Sequence, residues 1–227
     1  MAYDCQAYDC QWQHWGSRFY SQFGEDIIVL NIFYRLWIEK PSYLDLGAHH
    51  PHNISNTALL YDRGCRGINV EPNPLLIEPF HRLRPEDTNL CMGIGTKKGT
   101  MPFWRYDNVW SGKNSFVKEL AEENGPVTAI DVPVDTVDNI VRDHAKGVFP
   151  DFLSVDVEGM DFDIIKSIDY STTNTPKVIC VEMFSGGRGQ MDDTQKIKNW
   201  LNLHYFLLIQ VGANGIFVRR DYASHIY

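Results

Sequence analysis

Several features that would assign this chain to a membrane or nucleic-acid class are missing from its sequence. No apolar run reaches the ~18 residues that a membrane-spanning helix needs. The N-terminus also has no basic segment followed by an apolar one, as a secretory signal would have. The net charge is −8, so the chain lacks the excess of lysine and arginine that nucleic-acid binding requires. The sequence therefore predicts a cytoplasmic protein with neither a membrane nor a nucleic-acid partner.

Cysteine is present, but without a recognisable pattern. The five cysteines are scattered, and none of them forms a Cys-x-x-Cys pair. They therefore predict neither a disulfide framework nor a zinc site, and they favour a reducing compartment. Two of them lie in a tandem repeat, Ala2–Gln6 and Ala7–Gln11. We interpret residues 1–20 as a duplicated, aromatic arm that packs on its own domain or on a second subunit, which would make the protein a homo-oligomer.

The remainder of the chain alternates short apolar strands with amphipathic segments. With 44% hydrophobic and 22% charged residues, its 227 residues have the composition of a globular domain. The pattern predicts strands at 43–46, 67–71, 89–94, 151–156 and 176–182, and helices at 58–62, 75–83, 135–144, 161–168 and 192–203. Two last strands, 205–211 and 216–219, are too close in sequence for a parallel crossover and must pair antiparallel. We predict a Rossmann-like, doubly wound α/β sheet of seven mostly parallel strands with one antiparallel strand.

Two further segments flank this repeating pattern. A helix is predicted to begin at Ser21, as its cap, and to end before Pro41. Its apolar stripe would consist of Ile27, Leu30, Tyr34 and Trp37. Residues 95–132 are predicted to form an inserted hairpin or lid, after which Asp135 would cap the next helix. The predicted domain organisation is an arm at 1–20 and a single domain at 21–227.

The turn after the first strand lacks the glycines of a dinucleotide-binding loop. A Gly-x-Gly-x-x-Gly fingerprint beginning at Gly47 would place glycines at positions 49 and 52, where the chain has His49 and His52. Pro51 removes a further backbone donor from the same loop. Such a loop suits a nucleoside better than a diphosphate, and S-adenosylmethionine is the commonest ligand of that kind. Gly47 would let the backbone approach the ligand.

Carboxylates end four of the predicted strands: Asp45, Glu71, Asp156 and Glu182. Strand ends of this kind face the ligand crevice of an open α/β sheet, although a single carboxylate could equally cap a helix or pair with a lysine. Glu71 is predicted to accept hydrogen bonds from ribose hydroxyls. Asp45 is predicted to hold loop amides or, through water, the ammonium group of the ligand. Gly93 and Ile94 would flank an adenine ring.

A second group of carboxylates surrounds the end of the strand at 151–156. Asp156 and Glu158 lie on the same side of an extended chain, and Glu182 ends the strand predicted beside it. Their mutual repulsion predicts a shared proton, a basic partner or a bound cation. Three roles therefore stay open: a general base for a substrate hydroxyl, a Mg-type site on Asp156 and Glu182, or a structural network.

Histidines surround the glycine turn, at His49, His50 and His52. A histidine near neutrality is a suitable general base for an alcohol, and His50 is the one that we select as a catalytic candidate. The alternative is that all three are ordinary polar residues of the loop.

Taken together, these segments resemble the FkbM family of S-adenosylmethionine-dependent methyltransferases. The matching segments are 21–26, 44–48 with 55–57, 67–72, 152–159 and 176–182, of which Asp156–Gly159 is the most specific. The resemblance runs from about 21 to 219 and implies the class I methyltransferase fold, mostly with O-methylation of natural products or sugars. By motif position it implies that Asp45, Gly47 and Glu71 bind the cofactor and that Asp156 and Glu158 lie at the active site. The same segments add Gln22, Ala48 and Pro72 to the predicted cofactor-binding residues.

The sequence therefore predicts a methyltransferase that acts on a hydroxyl of a sugar or another small molecule. The cofactor is already activated, so the protein mainly aligns the acceptor and removes its proton. The candidate catalytic residues are Asp156, Glu158, Glu182 and His50. The alternatives are an N-methyltransferase of the same fold, an NAD(P)-dependent oxidoreductase, against which the missing glycines argue, and a non-catalytic nucleoside-binding module.

Overall fold

Ten strands and eight helices are assigned in the computed structural model, which describes residues 19–106, 111–123, 125–183 and 193–226. The strands are β1 Tyr43–Leu46, β2 Gly67–Val70, β3 Thr88–Leu90, β4 Gly93–Ile94, β5 Gly99–Arg105, β6 Thr128–Asp135, β7 Phe152–Val155, β8 Val178–Glu182, β9 Tyr205–Val211 and β10 Asn214–Arg219. The helices are α1 Glu25–Arg35, α2 Ala58–Asp62, α3 Pro74–Leu83, α4 Lys118–Glu122, α5 Val137–His144, α6 Asp161–Ser167, α7 Thr194–Leu201 and α8 Ala223–Ile226. None of the helices so described is long and apolar enough to cross a membrane.

Seven of the strands form one sheet in the order β3-β2-β1-β7-β8-β10-β9. Strand β10 runs antiparallel to both of its neighbours, and the other pairs are parallel. The predicted α/β class, with a Rossmann-like, mostly parallel sheet and one antiparallel strand, is confirmed. The order reverses between β1 and β7, and a crevice for a ligand opens at such a point beyond the carboxyl ends of the strands.

The central strands are buried on both faces, which explains their almost unbroken apolar sequences. In β7, Phe152 belongs to one apolar cluster and Leu153 to another, on the opposite face of the sheet. Tyr43 and Leu44 of β1 divide in the same way. Since side chains alternate along a strand, the sheet is covered by packed residues on both sides. This double cover fixes the strand register and therefore the place where each strand ends.

The predicted apolar stripe of α1 is wrong. Its buried face contains Val29, Ile32 and Phe33, whereas Tyr34 is 77% exposed and Trp37 is 86% exposed. The helix is apolar on several sides, so its periodicity alone did not identify the face that packs on the sheet. Its boundaries also differ from the prediction. The helix begins at Glu25, where the Ser21 hydroxyl accepts the Gly24 and Asp26 amides, and it ends at Arg35, two residues before Trp37 adopts a φ of 57°.

Two other predicted elements are corrected. The strand expected at 89–94 is divided between two sheets, because β3 pairs with β2 whereas β4 pairs with β6. The cap of α5 is Thr136, whose side chain accepts the Asn139 amide, and not Asp135. Asp135 instead ends β6 and pairs with Lys98 at 2.8 Å.

Residues 95–132, which were predicted as an inserted hairpin or lid, contain β5 and most of β6. Strands β5 and β6 pair antiparallel and form a three-stranded sheet with β4, in the order β4-β6-β5. Helix α4 lies between the two hairpin strands in sequence. The description of this insertion as a lid, and the division into an arm and one domain, remain predictions. Most of the predicted arm, residues 1–18, lies outside the described residues.

Candidate active site

A cavity of about 500 Å³ lies at the carboxyl ends of the parallel strands. Its wall contains most of the residues predicted to act on a ligand: Gln22, Gly47, Glu71, Pro72, Gly93, Ile94, Asp156, Glu158 and Glu182. The three predicted residues that are not part of the wall formed by the described residues are Asp45, Ala48 and His50. The sheet therefore brings together nine of the residues selected from sequence, although they come from distant segments.

The glycine turn packs directly against the neighbouring strand end. The Gly47 and Ala48 amides both donate to the Val70 carbonyl, at 3.0 and 3.1 Å. Gly47 has a φ of 80°, and a Cβ atom there would lie 1.8 Å from the Asp156 carbonyl oxygen. Glycine is therefore required at this position by both conformation and space. The Ala48 side chain points away into a small apolar cluster with Ile77 and Phe80.

Glu71 is the carboxylate best placed for the predicted ribose contact. It is 5% exposed and accepts the His49 amide at 2.9 Å and the Asn73 amide at 2.8 Å. These two bonds fix the carboxylate at the cavity wall, and a carboxylate has further lone pairs for hydroxyl donors. Burial raises the pKa of Glu71 to about 7, although the two amide bonds act in the opposite direction. The ribose contact itself remains a prediction.

The hydrogen-bond donors to Asp45 are side chains and not loop amides, whereas its predicted contact with the ammonium group of the ligand through water remains a prediction. Asp45 is buried and accepts the Thr57 hydroxyl at 2.6 Å. The same hydroxyl oxygen accepts a bond from Arg84 at 3.0 Å, and Arg84 also pairs with Asp87 at 3.0 Å without any exposure to solvent. Desolvation raises the pKa of Asp45. The residue therefore belongs to a buried network beneath the glycine turn.

Arg84 was missed in the sequence because it follows α3 at a position where arginine is ordinarily exposed. Its guanidinium lies within 5.4 Å of the centroids of three aromatic rings, those of Tyr43, Tyr61 and Phe80. It also donates to the Tyr43 hydroxyl at 2.9 Å. Cation–π contacts and hydrogen bonds together compensate for burial of this charge.

The predicted carboxylate cluster is present and includes one additional member. Oxygens of Asp156, Asp161 and Glu182 all lie within 4.8 Å of one another. The pKa of each is raised, first by desolvation; repulsion from neighbouring carboxylates contributes further in every case. Glu158 has a raised pKa for the same reasons, opposed by the charge of Lys113. The cluster therefore retains protons at a pH where isolated carboxyl groups have lost them.

Asp161 was predicted only as the start of a helix. Its two carboxylate oxygens accept the Val157 amide at 3.0 Å and the Gly159 amide at 3.1 Å. It therefore holds the loop that carries Asp156 and Glu158. Glu182 differs, because its Oε2 atom is buried without a hydrogen-bond partner among the described residues. An oxygen of this kind is suited to a proton, a cation or a ligand donor.

His50 makes structural contacts that the sequence did not predict, and its catalytic role remains a prediction. Its Nδ1 atom accepts the His52 amide at 3.1 Å and the Asn53 amide at 2.9 Å, which closes the turn after the first strand. Burial lowers the pKa of His50, and the neighbouring His49 and His52 lower it further. The histidine that does line the cavity is His49. Position therefore favours His49 over His50 as the histidine nearest a ligand.

Another part of the cavity wall comes from the insertion, which was predicted as a hairpin or lid, although the residues of it that line the cavity were not predicted. Its main contributors are Phe103, Lys113, Ser115, Phe116 and Leu120. Phe116 packs so closely on β4 that a Cβ atom at Gly93 would lie 2.2 Å from its ring. No local pattern reveals such a contact, since it depends on how the small sheet sits on the large one.

Comparison with known proteins gives one family match and two similar structures. The model of the family described as the methyltransferase FkbM domain matches residues 45–208. The chain is similar to the solved structure of a methyltransferase FkbM from Methylobacillus flagellatus KT, with 14% identity and a TM-score of 0.49, over 79% of this chain and 44% of that one. It is also similar to a TehB-like SAM-dependent methyltransferase from Corynebacterium glutamicum ATCC 13032 Kitasato, with 12% identity and a TM-score of 0.43, over 95% and 97% of the two chains. No curated protein matches. The chain thus spans less than half the length of the Methylobacillus protein.

Proposed function

Because the chain belongs to the family of FkbM methyltransferase domains, we propose that it transfers the methyl group of S-adenosylmethionine to a hydroxyl of a sugar or another small-molecule natural product. The observation that carries the cofactor assignment is the buried Glu71 carboxylate, held at the cavity wall by two backbone amides beside the glycine turn. A fixed acceptor at the end of the second strand suits a ribose diol. The rest of the wall includes Gly47, the carboxylate cluster and residues of the insertion.

Each part of the wall has a task in this proposal. Glu71 holds the ribose, and Gly93 with Ile94 flanks the adenine. Gly47 allows close approach of the backbone, because it carries no side chain. The bound cofactor supplies a methyl group that is already activated by its sulfonium. The protein therefore needs to exclude water, orient the acceptor and remove one proton.

The carboxylate cluster is the proposed acceptor of that proton. Asp156, Glu158 and Glu182 line the cavity, and burial together with mutual repulsion raises the pKa of each. A carboxyl group with a raised pKa is a stronger base once it has lost its own proton, and general-base catalysis is most efficient when the pKa lies near the working pH. A hydroxyl acceptor needs such a base more than a neutral amine does, which favours O-methylation over N-methylation.

A divalent cation is the second way in which the cluster could act. Asp156, Asp161 and Glu182 offer oxygen atoms within 4.8 Å of one another, and oxygen ligands suit Mg²⁺. Asp161 already accepts two amides, which leaves Asp156 and Glu182 as the main ligands. Titration of chelator-treated protein with MgCl₂ in a calorimeter separates the cases. A heat of binding that the wild type shows and the Asp156→Asn variant lacks would support a bound cation. The absence of any heat of binding in the wild type would support a shared proton.

Binding of S-adenosylhomocysteine tests the cofactor assignment. At a hundred times its Kd this ligand should stabilise the protein by about 2.7 kcal/mol, whereas NADH should have no effect. Glu71→Gln should abolish the stabilisation, and Glu78→Ala, which alters an exposed glutamate of α3, should retain it. Stabilisation by NADH alone would establish an oxidoreductase. Transfer of labelled methyl from the cofactor into a metabolite extract separates the enzyme from a binding module.

A further inference from the structure

Glu158 adopts a backbone conformation that is unfavourable for its residue type. Its φ is 53°, in the left-handed region, and Gly159 follows with a φ of 108°. Glutamate has no special tolerance for this region, because its Cβ atom approaches the following carbonyl oxygen. Residues remain in such conformations only when their surroundings impose them, and they cluster at functional sites. The contacts that impose this one can be identified.

The first restraint comes from the helix that follows the loop. Asp161, at the start of α6, accepts the amides of Val157 and Gly159, on either side of Glu158. Both bonds are made within the same short segment of chain. They shape the loop, but they would allow it to move as a unit with α6.

The second restraint comes from the insertion. The Ser115 hydroxyl donates to the Glu158 carbonyl at 2.6 Å. Ser115 is 1% exposed, and its main chain is paired with Trp104 of β5 by two hydrogen bonds of 2.9 and 3.0 Å. Its oxygen also accepts the Val117 amide at 2.9 Å, which orients the single hydroxyl hydrogen toward Glu158. The Glu158 carbonyl is therefore tied to the rigid hairpin sheet.

Packing reinforces this connection. A Cβ atom at Gly159 would lie 2.3 Å from Leu120 Cδ1 and 3.5 Å from Val117 Cγ2. The insertion thus contacts the loop through a hydrogen bond at Glu158 and through apolar side chains at Gly159. Glu158 meanwhile lines the cavity together with Asp156 and Lys113, and its carboxyl group interacts electrostatically with both.

We propose that Ser115 is a positioning residue, which holds Glu158 in the left-handed conformation so that its carboxylate stays in the cavity, where the methyl acceptor would bind. The inference rests on the proposed methyl transfer. It assigns to the insertion a part in building the catalytic centre, in addition to covering it. If the Glu-Gly turn had this shape by itself, Ser115 would contribute only an ordinary hydrogen bond.

Unfolding experiments test whether Ser115 imposes the strained conformation. Glu158→Gly and Glu158→Ala both remove the carboxylate, but only glycine tolerates the left-handed region. In the wild-type background the Gly variant should melt about 2–4 °C above the Ala variant. In the Ser115→Ala background this difference should fall to less than half, because the loop can relax. An unchanged difference would overturn the proposal.

Methyl transfer from labelled S-adenosylmethionine into a metabolite extract tests the positioning role. Ser115→Ala should slow transfer at least tenfold, while its thermal shift with S-adenosylhomocysteine stays within about 1–2 °C of the wild-type shift. Ser167→Ala, which removes another hydroxyl-to-carbonyl bond of 2.8 Å, should leave the rate unchanged. In a Glu158→Gln background Ser115→Ala should cause no further loss, since both act through one carboxylate.

The outcomes separate this inference from the function on which it rests. If the Ser115→Ala variant transfers methyl groups at the wild-type rate and binds S-adenosylhomocysteine normally, the positioning role is overturned and the proposed methyl transfer is not. Additive losses in the double variant would also overturn it. If S-adenosylhomocysteine fails to shift the melting temperature of the wild type, methyl transfer itself is refuted, and the positioning role with it.

Discussion

The Thr57 hydroxyl donates to the Asp45 carboxylate at 2.6 Å, so the first carboxylate of the glycine turn is turned toward the protein interior. From its position in sequence, Asp45 was predicted to hold loop amides or, through water, the ammonium group of the ligand. Through Thr57 it is connected to Arg84, which also approaches the Pro51 carbonyl of the same loop at 3.5 Å. The network therefore stabilises the turn from the protein interior, whereas Glu71 lies in the cavity wall.

Loss of the Thr57 hydroxyl should destabilise the fold. Thr57→Val keeps the size of the side chain but removes one of the two side-chain donors, Thr57 and Ser154, of the buried Asp45, which costs about 1–3 kcal/mol. Urea unfolding measures this loss, and Thr100→Val on the exposed face of β5 serves as a control that should change stability by less than about 0.5 kcal/mol. Equal stability of the two variants would show that the Thr57–Asp45 hydrogen bond does not contribute to the stability of the fold.

Gly47 should tolerate no side chain. In Gly47→Ala the new Cβ atom would lie 1.8 Å from the Asp156 carbonyl oxygen at a φ of 80°, so strand ends β1 and β7 must separate. We expect a loss of about 2–5 kcal/mol, from conformational strain and overpacking together. Gly99→Ala is the matched control, because a Cβ atom at Gly99 would have no neighbour within 4 Å and the φ there is not left-handed. Thermal unfolding of both variants measures the difference. A stable Gly47→Ala protein that still binds S-adenosylhomocysteine would contradict the close packing of the turn.

The stability of the ligand-free protein should fall between about pH 5 and pH 8. Burial raises the pKa of Glu71 from 4.5 to about 7, and the carboxylates of the cluster are shifted in the same direction. The folded state then binds more protons than the unfolded state, so its stability is complete below the unfolded pKa and is lost as pH rises through the folded one. Asp135 opposes this trend only at lower pH, because its folded pKa is about 2.

The same proton linkage gives the size of the expected loss of stability. Glu71 alone accounts for a loss of about 3 kcal/mol over this range, as an upper bound. Urea unfolding at several pH values measures the slope, which should be shallower in Glu158→Gln. The exposed Glu78→Gln variant should retain the wild-type slope. Stability that rises across this range would refute the raised pKa values.

The sequence predicted the sheet well, because its strands are apolar runs whose ends are marked by carboxylates. Asp156 and Glu182 end adjacent strands as expected, and the parallel register brings them together. The stripe through Tyr34 and Trp37 was wrong, since an all-round apolar helix does not reveal which face meets the sheet. The sequence marks a residue at a strand end, but it does not say toward which neighbour the side chain turns. Asp45 illustrates this limit.

The rest of the site depends on contacts between distant segments. Ser115, Lys113 and Phe116 reach the cavity only because the insertion forms a second sheet that packs over the first. Arg84 is buried among three aromatic rings and four hydrogen-bond acceptors, of which Tyr43, Pro51, Thr57 and Tyr61 are distant in sequence. The two neighbouring histidines also could not be distinguished from sequence. The turn places His49 in the cavity wall, whereas His50 accepts a backbone amide of the turn.

A crystal structure with bound S-adenosylhomocysteine tests the central claim most directly. The account predicts that both ribose hydroxyls lie within hydrogen-bond distance, about 2.5–3.2 Å, of the Glu71 carboxylate, with the adenine against Gly93 and Ile94. Electron density that places the ribose away from Glu71, or that requires a diphosphate over Gly47, would contradict it.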